Sequence, residues 1–87
     1  MTPIQKECLS LSEHAFELVK SVLPAGSVEI IREYIFDHNE WGLGIEMMVD
    51  IIIENDTTIT TEQKSAIVRA MYAMKIDRSQ HSIKVIE

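Results

Sequence analysis

Nine carboxylates fall between positions 29 and 62: Glu29, Glu33, Asp37, Glu40, Glu46, Asp50, Glu54, Asp56 and Glu62. Arg32 is the only base among them, so this stretch carries minus eight in a chain whose net charge is minus six. Residues 1–28 add minus one and residues 63–87 plus three, so the acidity is regional. Two kinds of chemistry use carboxylates in this way. A pair one helical turn apart, such as Glu46 and Asp50, can act as acid and base if a pocket drives their pKa values apart. A dispersed set on a surface instead repels nucleic acid and speeds the approach of basic partners. With 87 residues and three glycines the chain has little room for a catalytic pocket. The expectation is a binding protein with no catalytic residues, no direct contact with nucleic acid, and a basic partner.

Other reactive side chains point the same way. His14, His38 and His81 lie on different elements without a His-x-x-x-His pair, so no metal or cofactor site is expected. His14, beside Glu13 and Glu17, belongs to an exposed face, and His38 to a corner. Cys8, the single cysteine, falls on an apolar helical stripe and reads as a small core residue. Gly42 and Gly44 lack the flanking pattern of a phosphate-binding loop. Glycine costs roughly 1 kcal/mol relative to alanine inside a helix, so the two together call for a close approach by a neighbouring backbone.

These residues need helices to position them. Thr2, Pro3 and Gln5 form a capping-box start, and Ile4, Cys8, Leu11, Ala15, Val19 and Val22 recur at helical spacing, widened by Leu9, Phe16 and Leu23. The run Leu23-Pro24-Ala25-Gly26 is expected to end that helix, with Gly26 in a left-handed turn and Ser27 capping a second helix to about Asp37. Asn39 is the expected cap of a third helix from Glu40 or Trp41 to about Ile53. Its Val49 and Ile51–Ile53 run would also suit a buried strand, but Glu46, Asp50 and Glu54 repeat every four residues, which aligns them only on a helix. Thr60 with Gln63, or Thr61 with Glu62, caps a fourth helix whose apolar side is Ile67, Ala70, Met71 and Met74. From about residue 76 the pattern decays into a tail expected to be loose, although Ile83, Val85 and Ile86 could dock as a short strand.

The fold class is therefore all-α, a single domain over 1–87 made of about four helices with a short, extended C-terminal tail. A domain of this size buries only roughly 60 to 65% of the surface its unfolded chain exposes, so its core is thin. No basic-then-apolar leader is visible, no apolar run approaches the ~20 residues of a membrane span, and a lone cysteine suits a reducing compartment. A cytoplasmic location without membrane contact is expected.

The segment His38-Asn39-Glu40-Trp41-Gly42-Leu43-Gly44-Ile45-Glu46, with Asp50, Glu54 and the Thr-rich cap before a helix holding Met71 and Met74, resembles the MafI-type immunity proteins. Related, CdiI-like immunity proteins accompany contact-dependent growth-inhibition toxins. The resemblance runs over most of the chain and is strongest across positions 34–77. It implies a bacterial antitoxin that binds and neutralises a cognate toxin domain, often a ribonuclease. Where that pattern commonly has alanine after Gly-Leu, this chain has Gly44.

Asp37, Glu40, Asp50, Glu54 and Asp56 are the expected toxin-binding residues. Trp41, Gly42, Gly44 and Glu46 belong to the shared motif in a structural or binding role, with Trp41 favoured for core packing. The alternative is a helical scaffold or adaptor that homodimerises through the apolar surplus of the third helix, and either a monomer or a homodimer is compatible with the sequence. A transcriptional regulator would need a basic recognition helix, which the acidic centre does not supply.

Overall fold

A computed structural model describes residues 1–76 and 84–86. Helix α1 spans Pro3–Val19 and opens with the expected capping box: the Thr2 hydroxyl accepts from the Gln5 amide at 3.1 Å and Gln5 Oε1 accepts from the Thr2 amide at 2.9 Å. Its buried face is Cys8, Ser12, Ala15, Phe16 and Val19. Leu11 is only half-buried and Ile4 is exposed, so the face is rotated from the apolar stripe, with Ser12 taken inside. The Ser12 hydroxyl faces Met74 Sδ at 3.9 Å, a soft partner for a buried polar group.

A tight turn at Lys20–Val22 ends this helix, and α2 spans Ala25–Arg32. Pro24 initiates α2 rather than merely ending α1. Its carbonyl accepts from the amides of Ser27 and Val28, which puts Ser27 inside the first turn and not at the cap. Gly26 lies in that turn without a positive φ, which corrects the expected left-handed role. The next residues, Glu33–Asp37, widen into a π-turn closed by the His38 amide on the Glu33 carbonyl at 3.0 Å. Ile31 and Ile35, one turn apart, are both carried into the core.

Asn39 takes the left-handed conformation, φ 52°, and so forms the corner instead of capping the helix beyond it. Helix α3 spans Trp41–Glu54, beginning after Glu40 with no side-chain cap. It buries Gly44, Ile45, Met48, Val49 and Ile52, which decides the helix-or-strand ambiguity for helix. Asp56, φ 54°, then accommodates a Schellman closure in which the Thr57 amide donates to the Ile52 carbonyl and the Asp56 amide to that of Ile53.

Helix α4 spans Thr61–Ala73, capped by Thr60 and Gln63 in the reciprocal arrangement, at 3.0 and 2.8 Å. Gln63 also donates from Nε2 to the Leu18 carbonyl at 2.8 Å, tying the start of α4 to the end of α1. At the other end the Cys8 thiol faces the Ala73 carbonyl at 3.8 Å, so the two helices run antiparallel in the most extensive pairing of the molecule. The result is an all-α bundle of four helices. Before α4, strand β1, Thr58–Thr60, pairs in parallel with β2, Lys84–Ile86, in the register Ile59 to Val85. This is the extended docking the tail was allowed; the loose stretch expected after residue 76 falls on 77–83, outside the described residues.

Candidate partner-binding face

Helix α3 sets the geometry of the acidic set. At about 100° per residue, Leu43, Asp50 and Glu54 fall within about 40° of one another on the side opposite Ile45, Val49 and Ile52, with Glu46 at the edge. Burial of the inner face thus turns the carboxylates outward: Glu54 is exposed and Glu46 and Asp50 are half-buried. Asp37 and Glu40 are exposed at the corner leading into α3, and Asp56 is exposed just past its end. Fourteen helical residues rise about 21 Å, so the five expected contact residues do not form one cluster. They make two groups, Asp37 with Glu40 and Glu54 with Asp56, and Asp50 lies nearer the second.

The one base of this stretch is engaged with α1. Arg32 lies over the Phe16 ring at 5.4 Å, a cation–π contact, and near Glu17. Glu17 itself bonds Lys20 at 2.7 Å. That hydrogen bond holds its carboxyl below the ordinary value, with the Lys20 and Arg32 charges acting in the same sense.

Glu40 and Glu46 make no side-chain hydrogen bond or ion pair among the described residues, so neither fixes the helix start or bonds a neighbouring helix. Asp50 and Asp56 do have interactions within the molecule. The last turn of α3 carries no base, leaving Glu54 at the negative end of the helix dipole.

No family model, curated protein or solved structure matches the chain.

The shared motif divides into structural and exposed parts. A methyl group on Gly44 would lie 2.6 Å from Ile35 Cγ1, whereas the nearest backbone atom, the Ile31 carbonyl oxygen, is at an ordinary 3.7 Å, so the close approach is made by a side chain and not by the neighbouring backbone expected. Gly42 meets only Ile76 Cδ1 at 3.9 Å, so it does not share that role. Trp41 packs half-buried against the core, with its Nε1 enclosed and without a hydrogen-bond partner among the described residues. Leu43 stands out at 51% exposure beside the carboxylates.

Residue types and spacing did not reveal a small hollow of about 130 Å³ among Ile30, Glu33, Tyr34 and His38, next to Asp37. It exists because the π-turn swings Tyr34 against His38, with ring centres 6.4 Å apart. Ile30 beside it is 48% exposed. A hollow of this size, with an aromatic wall and an acid, suits one long basic side chain. Among the described residues no three His, Cys, Asp or Glu converge as metal ligands, and no helix is long and apolar enough to cross a membrane.

Proposed function

We propose that the protein is a binding module that receives a basic protein partner on the outer side of α3 and the α2–α3 corner. The partner is a toxin domain, with a nuclease the best match in charge, and the chain acts as its immunity protein in the bacterial cytoplasm. Support for the basic partner comes from one observation: Glu29, Glu33, Asp37, Glu40, Glu46 and Glu54 make no ion pair among the described residues, and the base of their stretch, Arg32, lies over the Phe16 ring of α1. Exposed Leu43 and Ile30, and the hollow at Tyr34 and His38, supply the apolar anchors that a charged surface needs to hold what it attracts. Support for the toxin comes from the resemblance of residues 38–46 to the MafI-type pattern.

The scaffold alternative drew on a surplus of apolar residues on α3. Ile45, Met48, Val49 and Ile52 are fully inside this fold, which leaves Leu43 as the exposed aliphatic of that helix.

The test is co-expression with the product of the neighbouring gene. A one-to-one complex of nanomolar affinity and protection of cells from that product are expected. Because Asp50 and Asp56 have contacts within the molecule, the informative reversals are Asp37→Lys, Glu40→Lys and Glu54→Lys. Together they should slow association at least tenfold at low salt, with the difference shrinking as salt rises. An unchanged association rate removes this face; no binding and no protection remove the immunity reading.

A further inference from the structure

On the α1–α4 side of the molecule an open groove of about 590 Å³ runs between the two helices. Its walls carry apolar side chains turned outward, Ile4 on α1 at 71% exposure and Tyr72 on α4 at 86%, with half-buried Leu11 of α1 reaching from the edge of the core into the groove. Charge is divided between the walls. Glu7 stands on α1, while Arg69 and Lys75 stand on or just past α4, and none of the three makes an ion pair among the described residues.

An antiparallel helix pair packed on α3 by one side can take a second helix pair on its other side, and that second pair needs bases opposite Glu7 and an acid opposite Arg69 and Lys75. The same helix pair of another copy has both. We propose that this groove is a self-association surface, in which two copies stack their α1–α4 pairs about a two-fold axis running along the groove. Rotation about that axis sets α1 of one copy over α4 of the other without shifting either lengthwise. The contact between Cys8 and Ala73 shows that Glu7 lies at the level of the end of α4, so Glu7 of one copy meets the Arg69–Lys75 stretch of its partner, twice by symmetry. Ile4, Leu11 and Tyr72 close the seam between the charges. Among the described residues none of α3 lines the groove.

Sedimentation equilibrium of the full chain, from micromolar concentration upward, tests this. A monomer–dimer equilibrium is expected. Tyr72→Asp should abolish it without moving the thermal melt measured at the lowest concentration, because that ring is nearly fully exposed. Glu7→Lys alone, and Arg69→Glu with Lys75→Glu, should each weaken the dimer about tenfold, and the triple exchange should restore it. Leu43→Asp on α3, which does not line the groove, should leave it unchanged. A monomer at every concentration, a dimer insensitive to the groove variants, or a triple exchange that fails to restore association would each overturn the proposal.

Discussion

Replacing Gly44 with alanine separates two effects that usually travel together. Alanine in place of glycine favours a helix by roughly 1 kcal/mol, and Gly44 lies inside α3, so propensity alone predicts stabilisation. The added methyl would, however, sit 2.6 Å from Ile35 Cγ1, near the root of a fully buried branched side chain that cannot swing aside. Overpacking of this kind costs about 1–3 kcal/mol. The net expectation is a loss of about 1 kcal/mol, or a fall of about 4–8 °C in melting temperature for a domain of this size. Gly26→Ala is the control, since nothing lies within 4 Å of its methyl; it should melt slightly higher than the parent, by a fraction of 1 kcal/mol. Gly42→Ala, with ordinary contact at 3.9 Å, should follow Gly26 and not Gly44. Ile35→Ala supplies the second arm. Alone it should cost about 2–5 kcal/mol, but in the double variant the methyl at 44 enters the vacated space, so the combined loss should be about 1 kcal/mol less than the sum. Chemical denaturation measures all five variants. A Gly44→Ala protein as stable as the parent, or losses that simply add, would refute the packing argument.

Three further outcomes follow from local contacts. Gln63→Ala removes half of a capping box and the 2.8 Å bond to the Leu18 carbonyl, so urea denaturation should show a loss of about 1–2 kcal/mol. Glu54→Lys relieves an anion at the negative end of α3 and should raise stability by about 0.3–1 kcal/mol at low salt, while slowing partner association in stopped-flow measurements. The Glu17 carboxyl is lowered by its bond to Lys20, so its small contribution is present above the ordinary glutamate pKa and is lost as pH falls through the lowered value. Acid titration of Glu17→Gln should therefore converge with the parent at the acid end of the curve, the two differing only above it.

The first capping box was legible to the residue and the second was one of two readings, Thr60 with Gln63 or Thr61 with Glu62, because a box closed by side chains three positions apart needs nothing from the rest of the fold. Ser27 and Asn39 have the same cap chemistry and failed in that role. Pro24 had already fixed the start of α2 one turn earlier, and the π-turn delivered Asn39 to the corner with a left-handed backbone. No residue type announces a π-turn, so the hollow it creates at Tyr34 and His38 was out of reach. The outward set of α3 was readable from its four-residue repeat. Its division between the corner and the end at Asp50, Glu54 and Asp56 was readable as well, because the expected bounds of the helix lie within a residue of those observed. The pairing of β1 with β2 joins residues 26 positions apart in the register Thr58 to Lys84, a contact that local patterning only allowed.

Helix α3 has neither a side-chain cap at its start nor an acid in its first turn, and its last turn holds carboxylates without a base. Each of these would weaken an isolated helix, and the Schellman closure at Asp56 offsets only part of it. What holds α3 is the complete burial of Ile45, Met48, Val49 and Ile52, at roughly 1.5–3 kcal/mol for each side chain. That exceeds the few tenths to 1 kcal/mol at stake for each terminal charge. The inner face therefore decides whether α3 forms, and the charges of the outer face, which the proposed partner would meet, are not needed for it. Reversing those charges should change what the protein binds and leave its far-UV circular dichroism as it was, whereas Ile52→Asp on the inner face should unfold it. Loss of helix in the Asp37, Glu40 and Glu54 reversals would show that the two faces are not independent and that the acidic set serves the fold.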